Sequence, residues 1–340
     1  MGVARDERDA IAVRERPVLL PTRLPPMLNV PLSRSRNVGM HALLVALALG
    51  IPAPRRVEAQ DVPPVMQITM QRLRPTMHVA SGYANGNVLI VESDTGLLLV
   101  DAQTAKRVAE LDSAIRMVSA RPVRLVIDTH YHGDHVEGNA HFRSQGAQVL
   151  AHRTVPVQAE KDTVIADWGN WHRTSLAVDA LPTRAFDDSV SFDFGRERVV
   201  VLHAPSAHTD GDAMIWFPRS NVLHIGDIFE VGAPPFIDLW SGGSLAGMLG
   251  AIDRVMAMVN DQTSIVPGHG PVSSRADLAR YREMLQTVGD RVRTAAARGA
   301  SADEVVAASP AQEWEASMGG PRRAQQLVRL IYADAARARR

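Results

Sequence analysis

Two apolar runs, Asn87-Val-Leu-Ile-Val91 and Gly96-Leu-Leu-Leu-Val100, are separated by the polar residues Glu92-Ser-Asp-Thr95. Short apolar runs bounded by turn-forming residues predict a strand hairpin. Ala105 to Ala120 reads as a helix, and Arg124-Leu-Val-Ile-Asp128 as a short buried strand. A second round follows, with strands near Val199–Leu202, Ala213–Phe217 and Val222–Ile225 and then a helix from Ser244. In that helix Leu245, Met248, Leu249, Ile252, Val255 and Met256 recur at helical spacing, a stripe that faces a core. Ser264-Ile-Val266 is another strand. The tail from Ser274 is helical, with Leu278, Tyr281, Leu285, Val288 and Val292 on one face. A strand–helix unit thus occurs twice, and each half ends a strand in polar, glycine-flanked residues. This predicts a layered α/β fold with helices covering sheets, and binding groups gathered where loops converge at strand ends.

The N-terminal stretch obeys a different pattern. Met40 to Gly50 is apolar but too short to cross a bilayer as a stable helix. Arg34 and Arg36 precede it, and Val57-Glu-Ala59 follows as a small-x-small signal before Gln60. That is the layout of a secretory signal peptide, with an h-region over 40–51. Residues 1–59 are therefore expected to be a leader, 60–76 a linker, and 77–340 the catalytic domain with its helical tail from about 274. The expected location is periplasmic or secreted, with no stable membrane anchor once the signal is cleaved.

Composition narrows the function classes. Lys+Arg and Asp+Glu both total 37, so no overall field draws the chain towards nucleic acid or an anionic membrane. Residues 1–59 carry nine basic and five acidic side chains, about +4, which leaves about −4 for the remainder. A small-molecule substrate fits this balance better than a nucleic acid. There is no cysteine, which removes disulfides, thiolate metal ligands and a cysteine nucleophile together.

The chemistry is concentrated in Thr129-His-Tyr-His-Gly-Asp-His135, three histidines and a carboxylate within six residues. Imidazole and carboxylate donors without thiolate suit zinc, and three protein ligands per ion leave a position open for catalysis. In an extended segment His130 and His132 project from one face and can reach one ion. Gly133 then lets the chain turn, sending Asp134 and His135 towards a second position.

This His-x-His-x-Asp-His pattern at a strand end resembles the signature of the metallo-β-lactamase superfamily, which includes glyoxalase II, lactonases and true β-lactamases. The resemblance runs from about Met77 to about Val292 and rests on four separated motifs. It implies a four-layer αββα sandwich and two zinc ions per chain. Ala204-Pro-Ser-Ala-His-Thr-Asp-Gly-Asp212 resembles the loop that supplies the third histidine of the first site, here His208. Leu223-His-Ile-Gly-Asp227 resembles the strand whose aspartate bridges both metals, and Val266-Pro-Gly-His-Gly270 the loop whose histidine serves the second zinc. The resemblance thus implies a first site of His130, His132 and His208 and a second of Asp134, His135 and His269, with Asp227 between them. A water shared by two zinc ions loses a proton near neutral pH and becomes a nucleophile. Asp134 is the expected catalytic group, orienting that nucleophile and carrying a proton to the leaving group. Asp210 and Asp212 are expected to orient His208 or its loop. His152, His172, His203 and His224 are expected to cap, pack or hydrogen-bond.

Two departures bear on substrate. The largest group of true β-lactamases has cysteine where this chain has Asp227, and a lysine for the β-lactam carboxylate three residues on, where Glu230 would repel it. Aspartate at that position is the habit of glyoxalase II and lactonases, whereas Ala207-His-Thr-Asp-Gly-Asp212 looks closer to the β-lactamase loop. The chain's two lysines, Lys106 and Lys161, lie outside the motif loops; an arginine from another loop, such as Arg173 or Arg219, could replace the anchor. The expectation is a dinuclear zinc hydrolase of an amide, ester or thioester, with a β-lactam, lactone or thioester substrate. The alternatives are a true β-lactamase and a non-catalytic metal-binding protein of the same fold.

Overall fold

The computed structural model describes residues 68–82, 85–166 and 169–337. The leader, with its h-region and cleavage point, lies outside the described residues. From Thr69 the chain runs through β1 (Thr69–Arg74), β2 (Met77–Gly82), β3 (Asn85–Glu92) and β4 (Leu97–Val100), each antiparallel to its predecessor. Helix α1 (Val108–Val118) leads to β5 (Val123–Ile127), parallel to β4. Two short helices, α2 (Gly133–Val136) and α3 (Asn139–Ser144), precede β6 (Gln148–His152), parallel to β5. After α4 (Thr154–Ala159), β7 (Thr163–Ile165) and β8 (Trp171–Arg173) make a separate two-stranded hairpin. Strand β9 (Arg184–Phe186) then closes a seven-stranded sheet, β1-β2-β3-β4-β5-β6-β9.

The second sheet holds β10 (Ser189–Phe194), β11 (Glu197–Ala204), β12 (Asp212–Phe217) and β13 (Val222–Glu230), all antiparallel. Helix α5 (Leu245–Met258) connects it to β14 (Ser264–His269), which pairs parallel to β13. The tail comprises α6 (Arg275–Ala297), α7 (Ala302–Ala307) and α8 (Pro321–Arg337).

Alternation along the buried strands assigns the layers. In β3, Leu89 and Val91 join Val100 and Ile127 against Val199, Val201, Ile215 and Phe217 of the other sheet. The intervening Val88 and Ile90 face Leu111 and Ile115 of α1. On the far side Leu223, Ile225 and Ile265 meet Ile252 of α5, Leu285 of α6 and Leu327 of α8. Strands covered on both faces read as continuous apolar runs, which is why they were visible in the sequence. The order is helix, sheet, sheet, helix, the four-layer sandwich. Helices α5 and α6 start where expected because Ser244 accepts from the Gly247 N–H and Ser274 forms a capping box with Asp277.

One local expectation changes. The stretch 60–76 includes an edge strand, β1, registered against β2 from Thr69↔Ser81 to Arg74↔Met77. Its side chains alternate poorly and stay mostly exposed, so it leaves no apolar signature. The expected turn at Gly133 is helical: Gly133 opens α2, and a single helical turn swings Asp134 and His135 away from His132.

The two sheets also meet through imidazoles. His152 of β6 stacks on His203 of β11, with centroids 3.7 Å apart and planes 9° from parallel. Burial pushes His152 down to about 4, and His203 and Arg153 add to the effect. An unfolded chain holds its histidines near 6.5, so between those values it binds more protons than the folded chain. Stability is therefore full above about pH 6.5 and falls towards pH 4. Urea unfolding at about pH 7.5 and pH 4.5 should show wild type losing about 2 kcal/mol more than His152→Phe, which stacks without titrating. Equal losses in both proteins would remove this role.

Candidate metal centre

All seven residues expected at the site are brought together. His130, His132, His208 and Asp227 each offer a ligand atom within 4.8 Å of the others, and so do Asp134, His135 and His269. His130 to His135 follow β5, His208 lies in the β11–β12 loop, Asp227 is inside β13 and His269 ends β14. Asp227 joins the two groups: its carboxylate oxygens lie 3.7 Å from His130 Nε2, 3.8 Å from His208 Nε2, 3.3 Å from His135 Nε2 and 3.5 Å from His269 Nε2. This approach needs glycine at 268, where a Cβ would sit 1.8 Å from Asp227 Oδ1. Gly86 does the same for His135, whose ring would be 2.6 Å from a Cβ there.

The far nitrogens of the rings decide what the near ones can do. His132 Nε2 meets Asp238 Oδ2 at 3.1 Å, and His208 Nδ1 meets the Phe236 carbonyl at 2.8 Å. His135 Nδ1 meets Asp101 Oδ2 at 2.8 Å. Thr129 Oγ1 donates to the same Asp101 oxygen and so accepts from His130 Nδ1 at 3.0 Å. Acceptors behind His130, His132 and His208 hold the proton on the far nitrogen and leave a lone pair on the near one. At His135, burial is outweighed by Asp227, Asp134 and Asp101, which raise that ring well above its usual range. His132 Nδ1 and His208 Nε2 then face each other at 3.0 Å as two bare acceptors, and buried His130 Nε2 has no hydrogen-bond partner. Such an arrangement is repulsive alone and attractive around a cation, so the donor set fits a metal ion. Three imidazoles with a carboxylate, and two imidazoles with carboxylates, suit zinc.

Charge divides the two groups. Burial pushes His208 down to about 4 and His130 well below its usual range, so both are neutral imidazoles. Burial also opposes protonation of His269, but Asp227 and Asp134 outweigh it and raise that ring to about 11. Burial pushes Asp134 up, yet His135 and His269 overcome this and hold it at about 2. Asp134 keeps a 30% exposed side chain, with Oδ2 3.1 Å from His269 Nε2, at the open side of the centre.

The other expectations resolve individually. Asp212 accepts from the Thr209 N–H and hydroxyl and so fixes the loop after His208, whereas Asp210 accepts from Gln158. The His208 ring itself is oriented by Phe236. His224 is buried against the Asn87 carbonyl, and His172 pairs with Asp162 on the surface. Glu230 is not a repelling charge at the surface: it is buried and accepts from the Phe236 N–H, and burial with Asp227 raises it to about 8. Arg173 and Arg219 do not supply the anchor either. Arg173 is 7% exposed and engaged with Tyr131 and Gln158, and Arg219 pairs with Asp193 at the surface. The sequence reading missed Asp101, Asp238 and the ring pair Trp171–Phe236, whose rings lie 5.7 and 5.9 Å from His132.

The sequence profile described as the metallo-beta-lactamase superfamily matches residues 82–285, and the chain belongs to that superfamily. It is 21% identical over 231 residues to the metallo-beta-lactamase type 2 of Bacillus cereus, covering 62% of this chain and 78% of that protein. It is 23% identical over 262 residues to the linear primary-alkylsulfatase of Pseudomonas sp. (strain ATCC 19151), covering 64% of this chain. There it spans 48% of the relative's length. Among solved structures, a metallo-beta-lactamase from Pontibacter korlensis superposes with a TM-score of 0.53 at 20% identity, over 65% of this chain and 99% of that one. At that identity the likeness is one of fold.

Proposed function

We propose that the chain is an exported hydrolase that holds two zinc ions and cleaves an ester, thioester or amide in a small molecule. One observation carries the reading: the single carboxylate of Asp227 reaches the ring nitrogens of both histidine groups, at 3.3–3.8 Å. His130, His132 and His208 would hold the first ion, Asp134, His135 and His269 the second, and Asp227 both. Zinc bound there supplies a Lewis acid for the scissile carbonyl and a water acidic enough to ionise near neutral pH. Asp134, ionised and partly open, takes the proton of the attacking water and passes it to the leaving group. Trp171 and Phe236 form an aromatic wall beside His132 for the apolar part of the substrate.

A dedicated β-lactamase is the second reading, supported by the names of several relatives and by the His208 loop. Neither expected position among the described residues offers the relevant cation, however, since Glu230 occupies the anchor position and Arg173 is internally engaged. A charge-assisted contact contributes roughly 1.5–3 kcal/mol, or about one to two decades in affinity. Steady-state kinetics on a penicillin, a carbapenem, a lactone, a thioester and a primary alkyl sulfate form the test. We expect the lactone or thioester to exceed the β-lactams in kcat/KM by about tenfold or more. A β-lactam with the highest value would make the chain a β-lactamase with an aspartate-bridged centre. No turnover on any class, with metal bound, would favour the non-catalytic alternative.

The export part of the proposal rests on the apolar run behind Arg34 and Arg36. N-terminal sequencing from the native host should give a mature chain starting near Gln60. A cytoplasmic product retaining Met40 to Ala59 would overturn it.

A further inference from the structure

Arg173 presents a physical puzzle. Its guanidinium is buried, with 7% of the residue exposed, and its partners among the described residues are all uncharged. Nη1 donates to the Tyr131 hydroxyl at 3.0 Å, Nη2 donates to Gln158 Oε1 at 3.3 Å, and the cation lies 5.0 Å from the Tyr131 ring centroid. Nε has no partner. A buried cation held by neutral groups alone costs more than its hydrogen bonds return, so its counter-charge must be reached through those groups.

Both neutral partners lead to a carboxylate. The Tyr131 hydroxyl donates in turn to Asp238, whose Oδ2 also receives His132 Nε2. Gln158 Nε2 donates to Asp210 Oδ2 at 2.7 Å, two residues beyond His208, while Gln158 Oε1 also accepts from Lys161. The two branches rejoin at Ser241, whose N–H donates to Asp238 Oδ1 at 3.1 Å and whose carbonyl accepts from the Asp210 N–H at 2.9 Å. One cation therefore closes a ring that backs both His132 and the loop of His208. It reaches there from β8, two residues beyond Trp171, whose ring lies against His132.

We propose that Arg173 is a positioning residue for the first metal site, holding His132 through Tyr131 and Asp238 and the His208 loop through Gln158 and Asp210. This role rests on the reading of the centre as a two-zinc site. Groups one step behind a metal ligand, as Asp238 is behind His132, typically change metal affinity by about 10- to 100-fold, and Arg173 acts through Asp238 and Asp210 together.

The test is competition of the purified protein with a chromogenic chelator for zinc alone. In Arg173→Met we expect the affinity for one ion to fall about 10- to 100-fold, with the other within about threefold. Arg173→Lys restores charge without the fork and should recover part of the loss, which a merely steric role would not predict. Tyr131→Phe removes only the connecting hydroxyl and should weaken the same ion by about tenfold. The double variant Arg173→Met/Tyr131→Phe should be no weaker than Arg173→Met, because the two act in one chain. Wild-type affinities in both single variants, or losses that multiply in the double, overturn the role. If Arg173→Met does not fold, Tyr131→Phe decides alone. A wild-type protein that takes up no zinc refutes the reading of the centre itself, whereas normal uptake with unaffected variants refutes only Arg173.

Discussion

Replacing Asp134 by asparagine is expected to lower kcat by about 100- to 10,000-fold while zinc content changes much less. The expectation follows from what each function needs of the side chain. A ligand needs an oxygen, and asparagine keeps one at the same reach. A proton acceptor needs a carboxylate, and asparagine is not one. Asp134 is placed for the second task by having the most exposed side chain of the seven, at 30%. Against the effect of burial, His135 and His269 hold its carboxyl at about 2, which secures the ionised form and makes it a weak base while those rings carry protons. It is therefore ionised throughout the neutral range and open towards an incoming substrate. The measurement is kcat and zinc per chain on the same preparation. Wild-type kcat with full zinc would remove the proton-handling role. Zinc lost in proportion to kcat would reduce Asp134 to a plain ligand.

The seven ligand-type residues were legible because of their placement along the chain. Four of them fall within six positions after an apolar strand, and Asp227 and His269 each lie beside glycine in another. The groups that make them effective were not, because they are distant in sequence. Asp238 lies 106 positions after His132, Asp101 lies 34 before His135, and Phe236 orients His208 through its carbonyl, which any residue carries. Asp101 alone left a trace, as a carboxylate ending the apolar run Leu97–Val100; it is fully buried with φ 67°, a strained backbone angle for aspartate. Arg173 shows the opposite failure. In sequence it is a loop arginine free to meet a substrate carboxylate, and only the folding of β8 against Tyr131 encloses it. The fold divides in the same way. Most strands buried on both faces announced themselves, whereas β6, though buried, was not read, nor were β1 and the β7–β8 hairpin, with half their side chains in water.

Asp227→Ala is expected to have the largest effect, on zinc content and turnover together. Among the described residues its carboxylate reaches ring nitrogens of both histidine clusters, and it is 6% exposed, so little solvent is available to replace it. Burial raises its pKa, but His135, His269 and His130 outweigh this and hold it well below the carboxylate range, so its charge is present whenever the fold is. Without it the second ion would keep His135, His269 and Asp134, and the first would keep three neutral imidazoles and no anion. Removing one partner from a buried charged assembly costs about 3–5 kcal/mol, or two to four decades in affinity. Elemental analysis of chelator-free wild type should give two zinc ions per mature chain, and Asp227→Ala one or fewer. Its kcat/KM should fall by at least the loss expected for Asp134→Asn. Asp227→Glu, one methylene longer, should not restore activity, because a Cβ at position 268 is already excluded by the oxygen of the shorter side chain. A stoichiometry near one in wild type, unchanged by added zinc, would refute the two-ion centre. Two ions retained in Asp227→Ala would show that the histidine groups hold metal independently, and the carboxylate between them would then be a bystander.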